Sequence, residues 1–331
     1  NLSIVIFFIA ILELFFGYWF DKNNFGPYMR EHRMKKQNIV WKYKDELVEY
    51  NYQRNYYGFR AEDMDPSKID AIILGGSVID ERYKPHQYTI TGYLNENLKK
   101  NSANIKIINA GVEGQSTKGI ISGFENWLFK IKKFKPKFIL IYTGINDQTV
   151  GTDNVLKLET DGHLLNPDKF EVFKDNFKSK SIIYDKLRIF KYKFLSSKKN
   201  FVRYNGKIDD SYKNNFNFIS YNKANISVIL DKNKKNSYLK RIDIIYKYSR
   251  KLGAEPIFIT NITASGYSKN IFLLNKSLIE HCKLKKYLCI DLAKKIDGKV
   301  EYWYDGVHTT KEGSKVIADL VTPELLNFFK N

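Results

Sequence analysis

Late in the sequence, Asp305-Gly306-Val307-His308 sets a carboxylate and an imidazole three residues apart, and far upstream Leu74-Gly75-Gly76-Ser77 puts a serine after an apolar run. A serine hydroxyl attacks a carbonyl carbon at neutral pH only when a base takes its proton. An imidazole does this best when a carboxylate fixes its tautomer and orientation. Ser77, His308 and Asp305 are the residue types for those three tasks. A spacing of three in a turn lets the carboxylate meet one ring nitrogen while the other faces the serine. Acyl transfer also needs donors aimed at the oxygen that becomes negative, and the Gly114 N–H and the Asn146 amide are suitable parts. Singly, each piece has a plainer role: Gly-Gly-Ser and Gly114 as turns, Asn146-Asp147 as a loop cap, Asp-x-x-His as structure. The chemistry rests on the set. His32, His86, His163 and His281 have no comparable partner motif.

The segments around these residues predict how they could meet. Apolar strands at 71–74, 105–109 and 138–142 run into Gly75-Gly76-Ser77, Ala110-Gly111 and Thr143-Gly144, with helical segments at 89–100 and 118–134 between them. Strands that are solidly apolar and alternate with helices argue for a parallel sheet covered on both faces. The alternation resumes with a helix at 239–252, Gly253 as its C-cap, a strand at 256–260, a helix at 271–282, a strand at 288–291 and a helix at 311–326. Sites in open α/β sheets collect beyond the carboxyl ends of the strands, where Ser77, the turn 111–114 and the turn 144–147 all fall. Residues 151–237, rich in Lys, Asn and aromatics, interrupt the pattern and suggest an insertion forming a cap or lid, with a surface excursion as the alternative. Tyr142, Asp147 and Gln148 are further candidates for the groove wall.

With 331 residues, 43% of them hydrophobic, the chain can bury a core large enough for a catalytic scaffold. The net charge of +19 comes from lysine spread along the whole chain, which argues for a solvated basic surface, with help in holding an anionic membrane as the alternative, and against a nucleic-acid partner. Two cysteines, Cys282 and Cys289, without a second pair make zinc an unpromising ligand; the expectation is buried free thiols, with a disulfide as the alternative in an oxidising compartment. Residues 2–20 are almost unbroken apolar and close on Tyr18-Trp19, which predicts a transmembrane anchor over 1–22, followed by a lead-in over 23–68 and the main domain over 69–331. A cleaved signal peptide and a buried core helix containing Glu13 are the alternatives. Arg30, Arg33, Lys35 and Lys36 follow the run, and by charge alone they would keep the bulk of the chain in the cytoplasm.

Gly75-Gly76-Ser77-Val78, Asn109-Ala110-Gly111-Val112-Glu113-Gly114, Gly144-Ile145-Asn146-Asp147 and Asp305-Gly306-Val307-His308 resemble, in order and character, the four blocks of the SGNH hydrolases, the GDSL-like lipases and esterases. The resemblance implies a flavodoxin-like three-layer α/β/α sandwich with a central parallel sheet, working on ester bonds without a metal or other cofactor. It implies Ser77 as nucleophile, His308 as general base and then acid, and Asp305 as its orienting carboxylate. It further implies an oxyanion hole made of the Ser77 N–H, Gly114 and Asn146. Gly76 departs from the Gly-Asp-Ser form, as in membrane-anchored bacterial members, whose lead-in Tyr57-Gly58-Phe59-Arg60 also resembles. That likeness implies an extracytoplasmic, membrane-anchored domain, against the local charge count.

The expected function is a membrane-anchored serine esterase that removes or transfers a short acyl group, with a small-molecule or cell-envelope glycan ester as substrate. A lipid-ester hydrolase and a non-catalytic glycan-binding envelope protein are the alternatives.

Overall fold

The computed structural model describes residues 2–20, 37–43, 46–148, 232–265 and 268–330, with scattered positions between 170 and 190 and residues 218 and 219. The expected insertion over 151–237 falls almost wholly outside the described residues.

Five short strands make the central parallel sheet: β3 (Ala71–Gly75), β4 (Ile107–Asn109), β5 (Phe138–Tyr142), β6 (Glu255–Ile259) and β7 (Leu288–Ile290). They lie in the order β4-β3-β5-β6-β7, all parallel, which is 2-1-3-4-5 when the sheet strands are counted alone. That order reverses direction beside β3, so the loops after β3, β4 and β5 open a crevice at its carboxyl end.

Alternation along the strands assigns each side chain to a layer. Ile72 and Leu74 of β3, with Ile139 and Ile141 of β5, pack under α4 (Thr117–Asn126), α5 (Lys232–Lys251) and α6 (Lys269–Lys285) through Ile120, Phe124, Ile242, Ile245, Leu274 and Leu278. Ala71, Ile73, Leu140, Ile257 and Ile259 face the other way, against α3 (Ile90–Lys100) and α8 (Lys311–Lys330) through Leu94, Leu98, Ile317, Val321 and Leu325. Every residue of β3 is buried, which is why the strands read as continuous apolar runs. Burying each Leu, Ile or Val here contributes on the order of 2 kcal/mol relative to exposure. The structure is therefore the expected three-layer arrangement.

Local signals set several boundaries. The Thr89 hydroxyl accepts from the Gly92 N–H and caps α3, and Gly253, at φ +86°, ends the turn after α5. The helix expected over 118–134 stops at Asn126, because the chain leaves helical geometry at Trp127 and continues as a 3₁₀ turn over Leu128–Lys130. Trp127 is fully buried there, its indole donating to the Tyr57 carbonyl at 2.6 Å.

Two expectations change. The membrane-spanning helix expected over 1–22 is not shown: the described helix there is α1 (Leu2–Phe16), 15 residues, about 22 Å at the α-helical rise. Among the described residues no helix is long and apolar enough to cross a membrane. The physical reason lies in two residues of the run itself. Gly17 leaves the helix, and the Glu13 carboxylate accepts from the Trp19 indole at 3.0 Å, the Ser181 hydroxyl at 2.5 Å and the Ile182 and Ile183 N–H groups at 3.1 Å. The second change concerns the cysteines, expected as free thiols: Cys282 near the end of α6 and Cys289 in β7 form a disulfide across seven residues.

The lead-in, which shows no strand periodicity, forms an antiparallel hairpin of β1 (Gln37–Tyr43) and β2 (Glu46–Tyr52). Trp41 and Tyr43 bury against Tyr304, and the Trp41 indole donates to the Tyr304 hydroxyl at 3.0 Å. The hairpin thus braces the loop that carries His308.

Candidate active site

Ser77 opens α2 (Ser77–Asp80) immediately after β3, with Gly76 as the N-cap. Its position is held from below. The buried Arg54 guanidinium donates to Asp80 Oδ1 at 2.9 Å and to the Gly111 carbonyl at 2.6 Å, and the Tyr52 hydroxyl donates to Asp80 Oδ1 at 2.8 Å. Arg60 adds donors to the Asp80 and Glu81 carbonyls at 2.5 and 2.8 Å. The Tyr57-Gly58-Phe59-Arg60 lead-in is therefore a clamp on the serine turn.

The loop between the 3₁₀ turn at Val300–Tyr302 and α8 forms a tight hairpin. Trp303 pairs with Thr309, and the Tyr304 N–H donates to the His308 carbonyl at 2.8 Å. Within it Asp305 uses both oxygens. Oδ1 accepts from the Val307 and His308 N–H groups, each at 2.8 Å, and Oδ2 meets His308 Nδ1 at 2.8 Å. His308 Nε2 then lies 2.8 Å from Ser77 Oγ. Residues 231 positions apart are joined in one hydrogen-bonded line from carboxylate to hydroxyl.

Partial burial pushes the Asp305 carboxyl up, but the His308 ring and the two loop N–H groups outweigh it and hold its pKa below the ordinary carboxylate range. A depressed folded-state pKa adds stability that is complete above the unfolded value of about 4 and fades as the pH falls through the folded value. The carboxylate is thus charged throughout the neutral range.

Of the other expected donors, the Asn146 amide lies against Gly76, the residue before Ser77. Gly114 takes φ +76° in the turn after β4, a left-handed conformation that suits glycine. Asn146 begins the 3₁₀ turn after β5, and its Nδ2 donates to the Gln115 carbonyl at 2.9 Å, tying the amide to the Gly114 turn. Gly76 is explained by the same amide: a Cβ there would lie 2.4 Å from Asn146 Nδ2 and 3.2 Å from the Gln115 carbonyl oxygen. The residue where the resemblance leads one to expect aspartate is small because Asn146 occupies its space. Gly76→Ala is expected to fold, since the side-chain amide can swing away, and to lower kcat about 10- to 10²-fold, less than the 10²- to 10³-fold that loss of a whole donor brings. Steady-state kinetics with a melting curve checks this; unchanged kcat would mean the amide has no part at the oxyanion.

Of the groove candidates, Asp147 and Tyr142 are 1% and 3% exposed and do not line the cleft. Asp147 accepts from the Thr117 N–H at 3.2 Å and from the Thr117 hydroxyl, and lies 3.5 Å from Arg241 Nη2. Arg241, on α5, also donates to Thr117 Oγ1 at 2.6 Å. This buried pair pins the turn that carries Asn146. Nothing local in the sequence marks Arg241, which lies far along the chain on a helix face that otherwise looks ordinary.

The cleft at Ser77 measures about 370 Å³ counting its open mouth, and its walls include Val78, Arg82, Tyr83, Glu113, Tyr304 and His308. Arg82 Nη2 is 2.5 Å from Glu113 Oε2 and donates to the Tyr83 hydroxyl at 3.0 Å. Among the described residues no group of three or more His, Cys, Asp or Glu side chains could hold a metal ion.

No family model matches the chain, and no curated protein does. Several solved structures are similar to it. The psychrotrophic esterase EstA from a Pseudoalteromonas species is 12% identical with a TM-score of 0.45, over 79% of this chain and 100% of that one. A catalytic variant of an acetylxylan esterase from Geobacillus stearothermophilus is 10% identical with a TM-score of 0.43, over 79% of this chain and 94% of that one. TesA is 11% identical with a TM-score of 0.44, over 77% of this chain and 97% of that one. At these scores the likeness is one of similarity alone.

Proposed function

We propose that the chain is a serine esterase of the SGNH type that releases short acyl groups through an acyl-enzyme, with an ester on a glycan as its substrate class. The observation that carries this is the continuous contact of Asp305 Oδ2 with His308 Nδ1 and of His308 Nε2 with Ser77 Oγ, each at 2.8 Å. Such spacing lies within direct proton-transfer reach. Ser77 Oγ attacks the ester carbonyl carbon as its proton passes to His308 Nε2, and the carbonyl oxygen becomes an oxyanion. The Ser77 and Gly114 N–H groups and Asn146 Nδ2 are the donors for that charge. His308 returns the proton to the departing alcohol oxygen, leaving the acyl group on Ser77. Water then gives a proton to His308 and attacks the acyl carbon; as the bond from that carbon to Ser77 Oγ breaks, His308 passes the proton to Oγ, releasing a carboxylic acid and restoring the serine and the neutral imidazole. A sugar hydroxyl in place of water makes the same steps an acyl transfer.

The rim supports the glycan class by its polarity: Arg82, paired with Glu113 and lying over the Tyr83 ring, puts groups on the cleft wall that can exchange partners with sugar hydroxyls. The Cys282–Cys289 pair supports an oxidising location outside the cytoplasm.

The test is a series of acetyl to octanoyl esters on the full chain, with a fluorophosphonate label and peptide mapping. Acetyl esters are expected to turn over at least about tenfold faster than octanoyl esters, the low end of the discrimination between chain lengths that an apolar wall makes, and the label is expected on Ser77. Preference for the long chains would favour a lipid ester. No turnover and no label would favour a glycan-binding protein without catalysis.

A further inference from the structure

Seven residues beyond Ser77 a lysine is buried with no part in the chemistry above. The Lys84 side chain is 3% exposed, as is that of Glu81, whose Oε1 lies 2.5 Å from Lys84 Nζ. Lys84 Nζ also donates to the Thr309 carbonyl at 2.6 Å, the Thr310 carbonyl at 3.2 Å, Thr309 Oγ1 at 3.2 Å and the Ser314 hydroxyl. Glu81 engages the same segment, accepting from Thr309 Oγ1 at 3.0 Å and Ser314 Oγ at 2.6 Å, while its other oxygen accepts from the Ile90 N–H at 2.5 Å. Glu81 itself sits at φ +45°, directly after α2, with its N–H on the Ser77 carbonyl at 2.9 Å.

The two ends of this cluster are the two halves of the site. Lys84 and Glu81 belong to the turn that presents Ser77; Thr309 and Thr310 follow His308 directly. A lysine fully withdrawn from water is disfavoured as a cation, and burial lowers its pKa, with the Glu81 carboxylate opposing that shift. Such a group is costly to keep unless its contacts are needed, and here the needed contacts are backbone carbonyls one and two residues from the base.

We propose that Lys84, held by Glu81, is a positioning residue that sets the distance between His308 and Ser77. Without its ammonium the Thr309 carbonyl, directly after His308, loses its buried donor and moves toward another partner, while the Thr310 carbonyl keeps only the Ser314 N–H at 3.0 Å. The imidazole moves with the Thr309 carbonyl, away from the 2.8 Å contact. A displacement of about 1 Å between reacting groups costs about 10²-fold in rate. This inference rests on the esterase reading.

The experiment compares wild type with Lys84→Met, Glu81→Gln and the double variant in the full chain, measuring kcat, KM, the rate of fluorophosphonate labelling at Ser77 and the melting temperature. Lys84→Met is expected to lose about 10²-fold in kcat and in labelling rate with KM changed less than about threefold, because Lys84, although it stands in the cleft wall, is 3% exposed and turns its ammonium to Glu81 and the Thr309 and Thr310 carbonyls. It also strands the Glu81 charge, so the melting temperature falls. The double variant removes both charges, and replacing a buried pair in this way leaves stability near its original value. Its melting temperature is expected to recover while kcat stays low, since the Thr309 carbonyl still lacks the donor that Lys84 supplied. A purely structural role would restore kcat together with the melting temperature, and that result overturns the proposal, as does a Lys84→Met protein with wild-type kcat. Should Lys84→Met fail to fold, the double variant alone decides by the same criterion. A wild type that neither hydrolyses esters nor takes the label at Ser77 sinks the esterase reading and this role together, whereas an active wild type with a fully active variant removes only the role of Lys84.

Discussion

Ser77→Ala lowers kcat on an acetyl ester by about 10⁴- to 10⁶-fold and abolishes fluorophosphonate labelling, with the melting temperature unchanged within about 2 °C. The side chain removed is one hydroxyl, and its hydrogen bond is to His308 Nε2. No atom remains to form the acyl bond, so the covalent route disappears, while the proposed hole around Gly114 and Asn146 still supports attack by water. That accounts for a residual rate about 10³-fold above the uncatalysed one. Stability is spared because alanine is favourable at a first helical turn and the clamp from Arg54 and Arg60 grips backbone carbonyls and Asp80, not the hydroxyl. Rapid-quench or steady-state assays with purified variant settle it. Activity above about one part in 10³ of wild type would mean that another group is the nucleophile.

Asp305→Asn is expected to lower kcat about 10⁴-fold with little change in fold or KM. Asparagine is isosteric, and its one oxygen can keep accepting from the Val307 and His308 N–H groups that Oδ1 now serves. Its amide nitrogen then faces His308 Nδ1 in place of Oδ2. A donor at that position forces Nδ1 to accept, which moves the ring proton to Nε2, the nitrogen that must take the proton from Ser77. The nucleophile loses its base although every heavy atom stays in place. Nitrogen-15 NMR of the imidazole reports the tautomer directly, and kcat reports the consequence. A variant that keeps the Nδ1–H tautomer and full kcat would show that the carboxylate is not what orients the ring. Because the Asp305 carboxyl is held below its ordinary pKa, wild-type protein also loses this orienting charge only in acid, as the pH falls through that depressed value.

The four short blocks were legible because each is local. Gly75-Gly76-Ser77, Gly111–Gly114, Gly144–Asp147 and Asp305–His308 are turns after strands or before a helix, written by glycine, asparagine and aspartate over a handful of residues. The strands that carry three of them were equally visible, since a strand buried on both faces must be apolar throughout, and the structure places them within two residues of the expected ends. The β1–β2 hairpin was not visible: its alternation of aromatic, charged and polar residues follows contact with Tyr304 and with itself, and neither is recorded nearby. The extent of the first helix was not legible for a related reason. Apolar composition states what residues 2–20 could bury, whereas Gly17 and the partners of Glu13 decide where the helix ends.

From its sequence alone this protein was determined as a layered α/β chain with a serine, an imidazole and a carboxylate at strand-end and turn positions, because periodicity and turn chemistry act over a few bonds. Only the tertiary structure decided that His308 meets Ser77 across 231 positions, that Gly76 yields its space to Asn146, that Arg241 pins Asp147, and that Lys84 binds the loop behind the imidazole. Those pairings depend on which loops converge at the switch in strand order, and no short stretch of residues contains that information.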